Sequence, residues 1–265
     1  MLNKLDDDGY EFNTISGVHV TANMIYKWAI DEKLRTDNPC SGTKIPVRQL
    51  TVEQMQANAL SEKYLVRSEI EEFLAATEKF GKGDDLEVFY LLVFSGLRPG
   101  ELCALQWADI YFETYDLDVN KTIYYPRGVK GEFMLTPPKN EGSVRRFDID
   151  KFIIDKLLIM KERQEKRHER YKENHSDFYE GNFVLTDDDG LPFTLNKLND
   201  RMQRIIKRTK ITKNATAHIW RHTHISMLAE AGVDVKTIMK WVGHTNCMPF
   251  FYFVLSTKGI NSSII

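Results

Sequence analysis

Between residues 107 and 150 the chain changes its hydrophobic period, and this break constrains the fold more than any other feature. On either side, apolar residues recur at helical spacing. Inside the block they fall in short runs bounded by turn residues. Asp116–Val119 and Thr122–Tyr125 flank Asn120-Lys121 and read as paired strands. A second pair, Phe133–Thr136 and Val144–Ile149, is joined by Pro137-Pro138-Lys139-Asn140-Glu141-Gly142-Ser143. The predicted fold is therefore mainly α with a small antiparallel β-sheet (α+β), whose last hairpin presents Lys139.

The helical stretches place the chemistry. Val18, Ala22, Ile25 and Ala29 predict a helix over 17–35, stopped by Asn38-Pro39-Cys40-Ser41-Gly42, with a linker over 36–66. Such a lone helix cannot bury its own stripe. Ser68-Glu69-Ile70-Glu71 reads as a capping box opening a helix to Phe80. Leu86, Phe89, Val93 and Leu97 mark a core helix that runs into Ser95-Gly96-Leu97-Arg98-Pro99-Gly100-Glu101-Leu102. Pro99 suits the first position of the next helix, so Arg98 sits at a helix start, where free N–H groups favour an anion. A salt bridge from Arg98 to Glu101 is the competing use. Residues 151–175 form a long helix whose second half mixes charges and carries no site. Asp187-Asp188-Asp189-Gly190 lacks the alternate-position ligands of a calcium loop and reads as a turn.

The next stretches gather positive charge. Leu195, Leu198, Met202 and Ile205 make a buried stripe, while Lys197, Arg201, Arg204 and Arg208 repeat on another face. From Thr194 to Arg221, eight basic residues, Lys207 among them, stand against the single acid Asp200. The whole chain carries a net charge of −2, so this is a local basic face, as binding to a phosphate backbone requires. His218-Ile219-Trp220-Arg221 puts an imidazole and a guanidinium three residues apart on one helical face, a pair suited to gripping a phosphodiester. Asp234 can cap a helix over 235–242, and with 221–231 this pair superficially resembles a helix-turn-helix. Gly243-His244-Thr245-Asn246 follows, and then Tyr252, the sole tyrosine after His244.

Composition excludes other classes. No apolar run approaches the roughly 20 residues of a membrane span, and the first residues lack the apolar core of a secretory leader. Cys40, Cys103 and Cys247 are far apart and odd in number, which gives no disulfide framework or zinc pattern and fits a reducing cytosol.

Taken together, the Arg98 segment, Lys139 followed by Ser143-Val144-Arg145-Arg146, His218-Ile219-Trp220-Arg221-His222-Thr223, Gly243-His244-Thr245-Asn246 and a late tyrosine resemble the tyrosine recombinase (phage integrase) family, in particular integrases of phages and conjugative transposons. The resemblance covers residues 61 to about 254. It implies a catalytic domain over 67–265, a linker over 51–66, and over 1–50 the C-terminal part of a helical core-binding domain whose remaining helices are missing, so that the chain looks truncated at its start. It also implies that Tyr252 attacks a DNA phosphate to give a 3′-phosphotyrosyl link, with Arg98 and Arg221 on the non-bridging oxygens. Lys139 protonates the leaving oxygen, His218 serves as general acid/base, His244 bonds the phosphate, and no metal or other cofactor takes part. The implied partners are double-stranded DNA, other copies of the chain in a tetramer, and DNA-bending accessory proteins, with no membrane. Lys197, Arg201, Arg204, Lys207, Arg208 and Arg145 are expected to face DNA. Two departures accompany the resemblance. Tyr252 follows His244 by eight residues, where nine or ten are usual, and Pro249 lies between them. The alternative expectation is a catalytically impaired remnant that still binds DNA.

Overall fold

The computed structural model describes residues 2–46, 64–126, 131–138 and 141–243. It divides into two compact units, residues 1–59 and 60–265.

In the first unit, α1 (Leu2–Asp7) packs on α2 (Phe12–Asp31). Ile15 is 1% exposed, whereas Val20, Met24, Ile25 and Trp28 are more than half exposed. Helix α2 starts earlier than residue 17 and stops before 35. Its end is set by backbone geometry rather than by Pro39. Lys33 takes a left-handed φ of 58°, its N–H returns to Ile30 O (2.9 Å), and Leu34 N returns to Ala29 O (2.8 Å), which closes the last turn as a Schellman motif.

The second unit is built around α4 (Asp85–Ser95), in which Phe89, Leu91, Leu92 and Val93 are fully buried. A helix apolar on nearly all sides must be wrapped. It is covered by α3 (Arg67–Phe80), α6 (Lys151–Asn174) and α8 (Ile219–Glu230). Helix α3 opens at Val66 rather than Ser68, because Glu69 accepts from Val66 N (2.8 Å). Gly96, at φ 62°, ends α4 and turns the chain into α5 (Pro99–Ala104), with Pro99 in the first turn as expected. Helix α7 (Leu195–Ile206) buries Leu198, Met202 and Ile205, and Thr194 Oγ1 caps it by accepting from Lys197 N (3.2 Å). Helix α8 buries Ile219, Trp220, Arg221, Thr223, His224, Ile225, Ser226 and Ala229. It is a core element and cannot serve as an exposed recognition helix. The Asp234 carboxylate caps α9 (Val235–Val242) by accepting from Thr237 N (3.0 Å).

The strands form where their period places them, but they pair differently. In place of two successive hairpins, β2 (Asp116–Val119) pairs with both β1 (Ile110–Tyr111) and β5 (Arg145–Asp148), while β3 (Thr122–Tyr124) pairs with β4 (Met134–Thr136) in a separate sheet. The registers are antiparallel, with Leu117 opposite Phe147 and Ile123 opposite Leu135. Asn120-Lys121 does not turn back because both side chains are drawn to Asp109: Lys121 Nζ lies 2.6 Å from Oδ1, and Asn120 Nδ2 donates to the same oxygen at 3.3 Å. Strand β3 instead runs alongside α5, where a Cβ on Gly100 would stand 2.6 Å from Thr122 Oγ1. The outcome remains a mainly helical α+β unit with small antiparallel sheets.

Candidate active site

The C-terminal end of α9 gathers the site. The last carbonyls of a helix lack partners within it, and the macrodipole makes that end attractive to cations. Here three successive carbonyls are taken by three arginines distant in sequence. Trp241 O accepts from Arg145 Nε (2.7 Å), Val242 O from Arg221 Nη2, and Gly243 O from Arg98 Nη2 (3.2 Å). Ser143 Oγ also donates to Gly243 O, at 3.4 Å. Gly243 sits at φ 65°, and a Cβ there would lie 3.1 Å from Ser143 Cα and 3.2 Å from Arg145 Nη1. Only glycine suits both the backbone and the space.

Arg221 is 4% exposed and also donates from Nη1 to Gly96 O (2.8 Å). Burial first, then the neighbouring Arg98 and Arg145 charges, lower its pKa to about 9, with Glu101 opposing. It remains cationic at neutral pH. His218 occupies the position just before α8, one turn before Arg221. Desolvation, followed by the charges of Arg221 and Arg98, depresses its pKa, so the imidazole is neutral at pH 7 and able to accept a proton.

Arg98 has 32% of its side chain exposed. Its expected ion pair with Glu101 forms (Nη1 to Oε1, 2.7 Å), and this does not remove the arginine from the site, because Nη2 still reaches Gly243 O. Glu101 is buried and receives Arg145 as well, at 2.9 and 3.2 Å. Burial pushes this carboxyl up, but the hydrogen bonds and charges of Arg145 and Arg98 hold it below the ordinary range. The Arg-x-x-Glu spacing over 98–101 was the sequence signal for this bridge. Nothing in the sequence marked Arg145 as the second arm.

The remaining expected residues divide. Lys139, His244 and Tyr252 lie outside the described residues. Arg145, grouped by sequence with the DNA-facing cations, has a side chain only 5% exposed and is enclosed by Glu101 and Trp241 O. On α7, Arg201 Nε and Arg204 Nη2 pair with buried Asp85 at 2.6 and 2.7 Å, and Lys197 pairs with Asp187. Arg201 and Arg204 tie α7 to the start of α4, and Lys197 ties it to the turn at Asp187. Lys207 and Arg208 are exposed. Asp187–Gly190 forms the expected turn, with Gly190 at φ 79°.

Comparison with known proteins identifies relatives of the chain and of its fold. A family model described as the phage integrase family matches residues 63–249. The XerC-like tyrosine recombinase of Caldanaerobacter subterraneus is 28% identical over 251 residues, covering 92% of this chain and 62% of that protein. The ICEBs1 integrase of Bacillus subtilis is 28% identical over 245 residues, covering 91% and 60%. The chain thus spans about 60% of the length of these relatives. Among solved structures, the Tn1549 transposon integrase in complex with transposon right end DNA shares the fold at a TM-score of 0.69 and 20% identity, covering 95% of this chain and 78% of that one. A lambda integrase dimer bound to a core site gives 0.59 and 18%, covering 100% and 65%.

Proposed function

The chain belongs to the phage integrase family, and from that premise we propose that it cuts and rejoins DNA as a tyrosine-type site-specific recombinase. The observation that carries the reading is the convergence of Arg98, Arg145 and Arg221 on consecutive carbonyls at residues 241–243, with His218 within the field of two of them.

In this reading the Tyr252 hydroxyl attacks the scissile phosphorus. Its proton passes to the neutral His218 imidazole, a new phosphotyrosine P–O bond forms, and the bond to the 5′-oxygen breaks. Lys139 supplies the proton that leaves with the 5′-hydroxyl. The ester energy is kept in the 3′-phosphotyrosyl link for rejoining. Arg98 and Arg221 face the non-bridging oxygens and stabilise the charge of the pentacoordinate transition state, with His244 as a further donor. No metal is required, since guanidiniums carry the compensating charge. The substrate is a double-stranded recombination site, held partly by Lys207 and Arg208, and the working form is a tetramer on DNA, with bending proteins as accessory partners. The described residues contain no helix long and apolar enough to cross a membrane. In this reading residues 1–50, with the exposed stripe of α2, belong to a helical DNA-clamp domain, 51–66 are the linker and 67–265 the catalytic domain.

The test is a nicked duplex that traps the covalent intermediate. An adduct formed by the chain and lost in Tyr252→Phe supports the reading. Tight DNA binding with no adduct overturns it in favour of a DNA-binding remnant.

A further inference from the structure

Both oxygens of the Glu101 carboxylate are shared between two arginines. Oε1 accepts from Arg98 Nη1 (2.7 Å) and Arg145 Nη1 (3.2 Å), while Oε2 accepts from Arg98 N (2.9 Å) and Arg145 Nη2 (2.9 Å). The carboxylate is 3% exposed, so these donors replace its water. A buried carboxylate facing Arg98 alone would close into an ion pair with little net charge left for a phosphate. A second guanidinium on the same carboxylate leaves the trio with one net positive charge, and Arg98 is the member with an exposed side chain. The contact is also directional. A planar fork against a planar carboxylate fixes the carboxylate's orientation, which a lysine cannot do. Arg145 is itself fixed, donating from Nε to Trp241 O (2.7 Å) and from Nη1 to Ser143 O (3.0 Å).

We propose that Arg145 is a positioning residue for the recombination step: through the Glu101 carboxylate it orients the Arg98 guanidinium and keeps its charge available to the scissile phosphate. This rests on the recombinase reading and deepens it. Arg145 itself touches no DNA.

The test uses the full chain and nicked duplexes tiled across the DNA flanking its coding sequence. A second duplex carries a methylphosphonate at the nucleotide where the unsubstituted chain forms its adduct. Replacing one non-bridging oxygen by methyl makes the reacting group neutral and relaxes the need for a placed cation. Arg145→Gln is expected to slow adduct formation on the phosphodiester roughly 100-fold, the scale of losing one transition-state donor, with affinity for the duplex unchanged. On the methylphosphonate the variant should approach the unsubstituted chain, as Arg98→Ala should. Arg145→Lys, which keeps the charge and loses the fork, should stay impaired on the phosphodiester. If Arg145→Gln does not fold by circular dichroism, Arg145→Lys carries the same two-duplex comparison. An equal loss on both duplexes, or wild-type rates in Arg145→Lys, overturns the inference alone. No adduct from the unsubstituted chain on any duplex overturns the recombinase reading, and this inference with it.

Discussion

His224 lies directly against Gly96: a Cβ on the glycine would stand 2.6 Å from His224 Cδ2. Gly96 also has a left-handed φ of 62° and gives its carbonyl to Arg221. Gly96→Ala therefore meets backbone strain and a clash together, and should cost about 2–4 kcal/mol in urea denaturation. Because the same turn holds Arg221, adduct formation should fall further than the loss of folded protein explains, with DNA affinity less affected.

Burial pushes the His224 imidazole down from 6.5 to about 4, with its Nδ1 on Val93 O opposing and the Arg221 charge adding to the fall. A histidine whose folded pKa is depressed binds its proton more readily in the unfolded chain. Its contribution is complete above pH 6.5 and is lost as pH falls toward 4. That loss is on the order of 3 kcal/mol. The difference in unfolding free energy between pH 7 and pH 4.5 should be smaller in His224→Gln than in the unsubstituted chain.

Arg221 bonds two carbonyls that border the site, Gly96 O and Val242 O. A lysine cannot hold both and still face a phosphate. Arg221→Lys should slow adduct formation by roughly 10²–10³-fold, measured under single-turnover conditions, while filter binding changes little.

The α7 cations should separate into two kinds. Asp85 is 3% exposed by side chain and carries both Arg201 and Arg204. Asp85→Asn should destabilise the fold by about 3 kcal/mol, as expected when one partner of a buried ionic group is removed. Lys207→Ala should leave stability unchanged and reduce the salt slope of DNA binding by about 1.

These contrasts mark what was legible in the sequence. Helical period and capping residues located the helices to within a few positions, and motif order located Arg98, His218 and Arg221, because local chemistry sets both. Strand pairing was not legible: nothing in Asn120-Lys121 announces that Asp109 will draw both side chains away from a hairpin. The end of α2 was misplaced because a lysine, not a glycine, takes the left-handed position at residue 33. The role of Arg145 was hidden for a similar reason. A basic residue beside other basic residues looks like surface until a buried carboxylate from 44 positions upstream is placed against it.

The carbonyls at residues 241–243 come late in the order of synthesis. Arg98, Arg145 and Arg221 precede their carbonyl anchors in the chain by 145, 96 and 21 positions. A nascent chain halted before Trp241 would hold every described cation of the pocket and none of the three carbonyl anchors. The three guanidiniums are thereby left without these anchors until the last turn of α9 has docked.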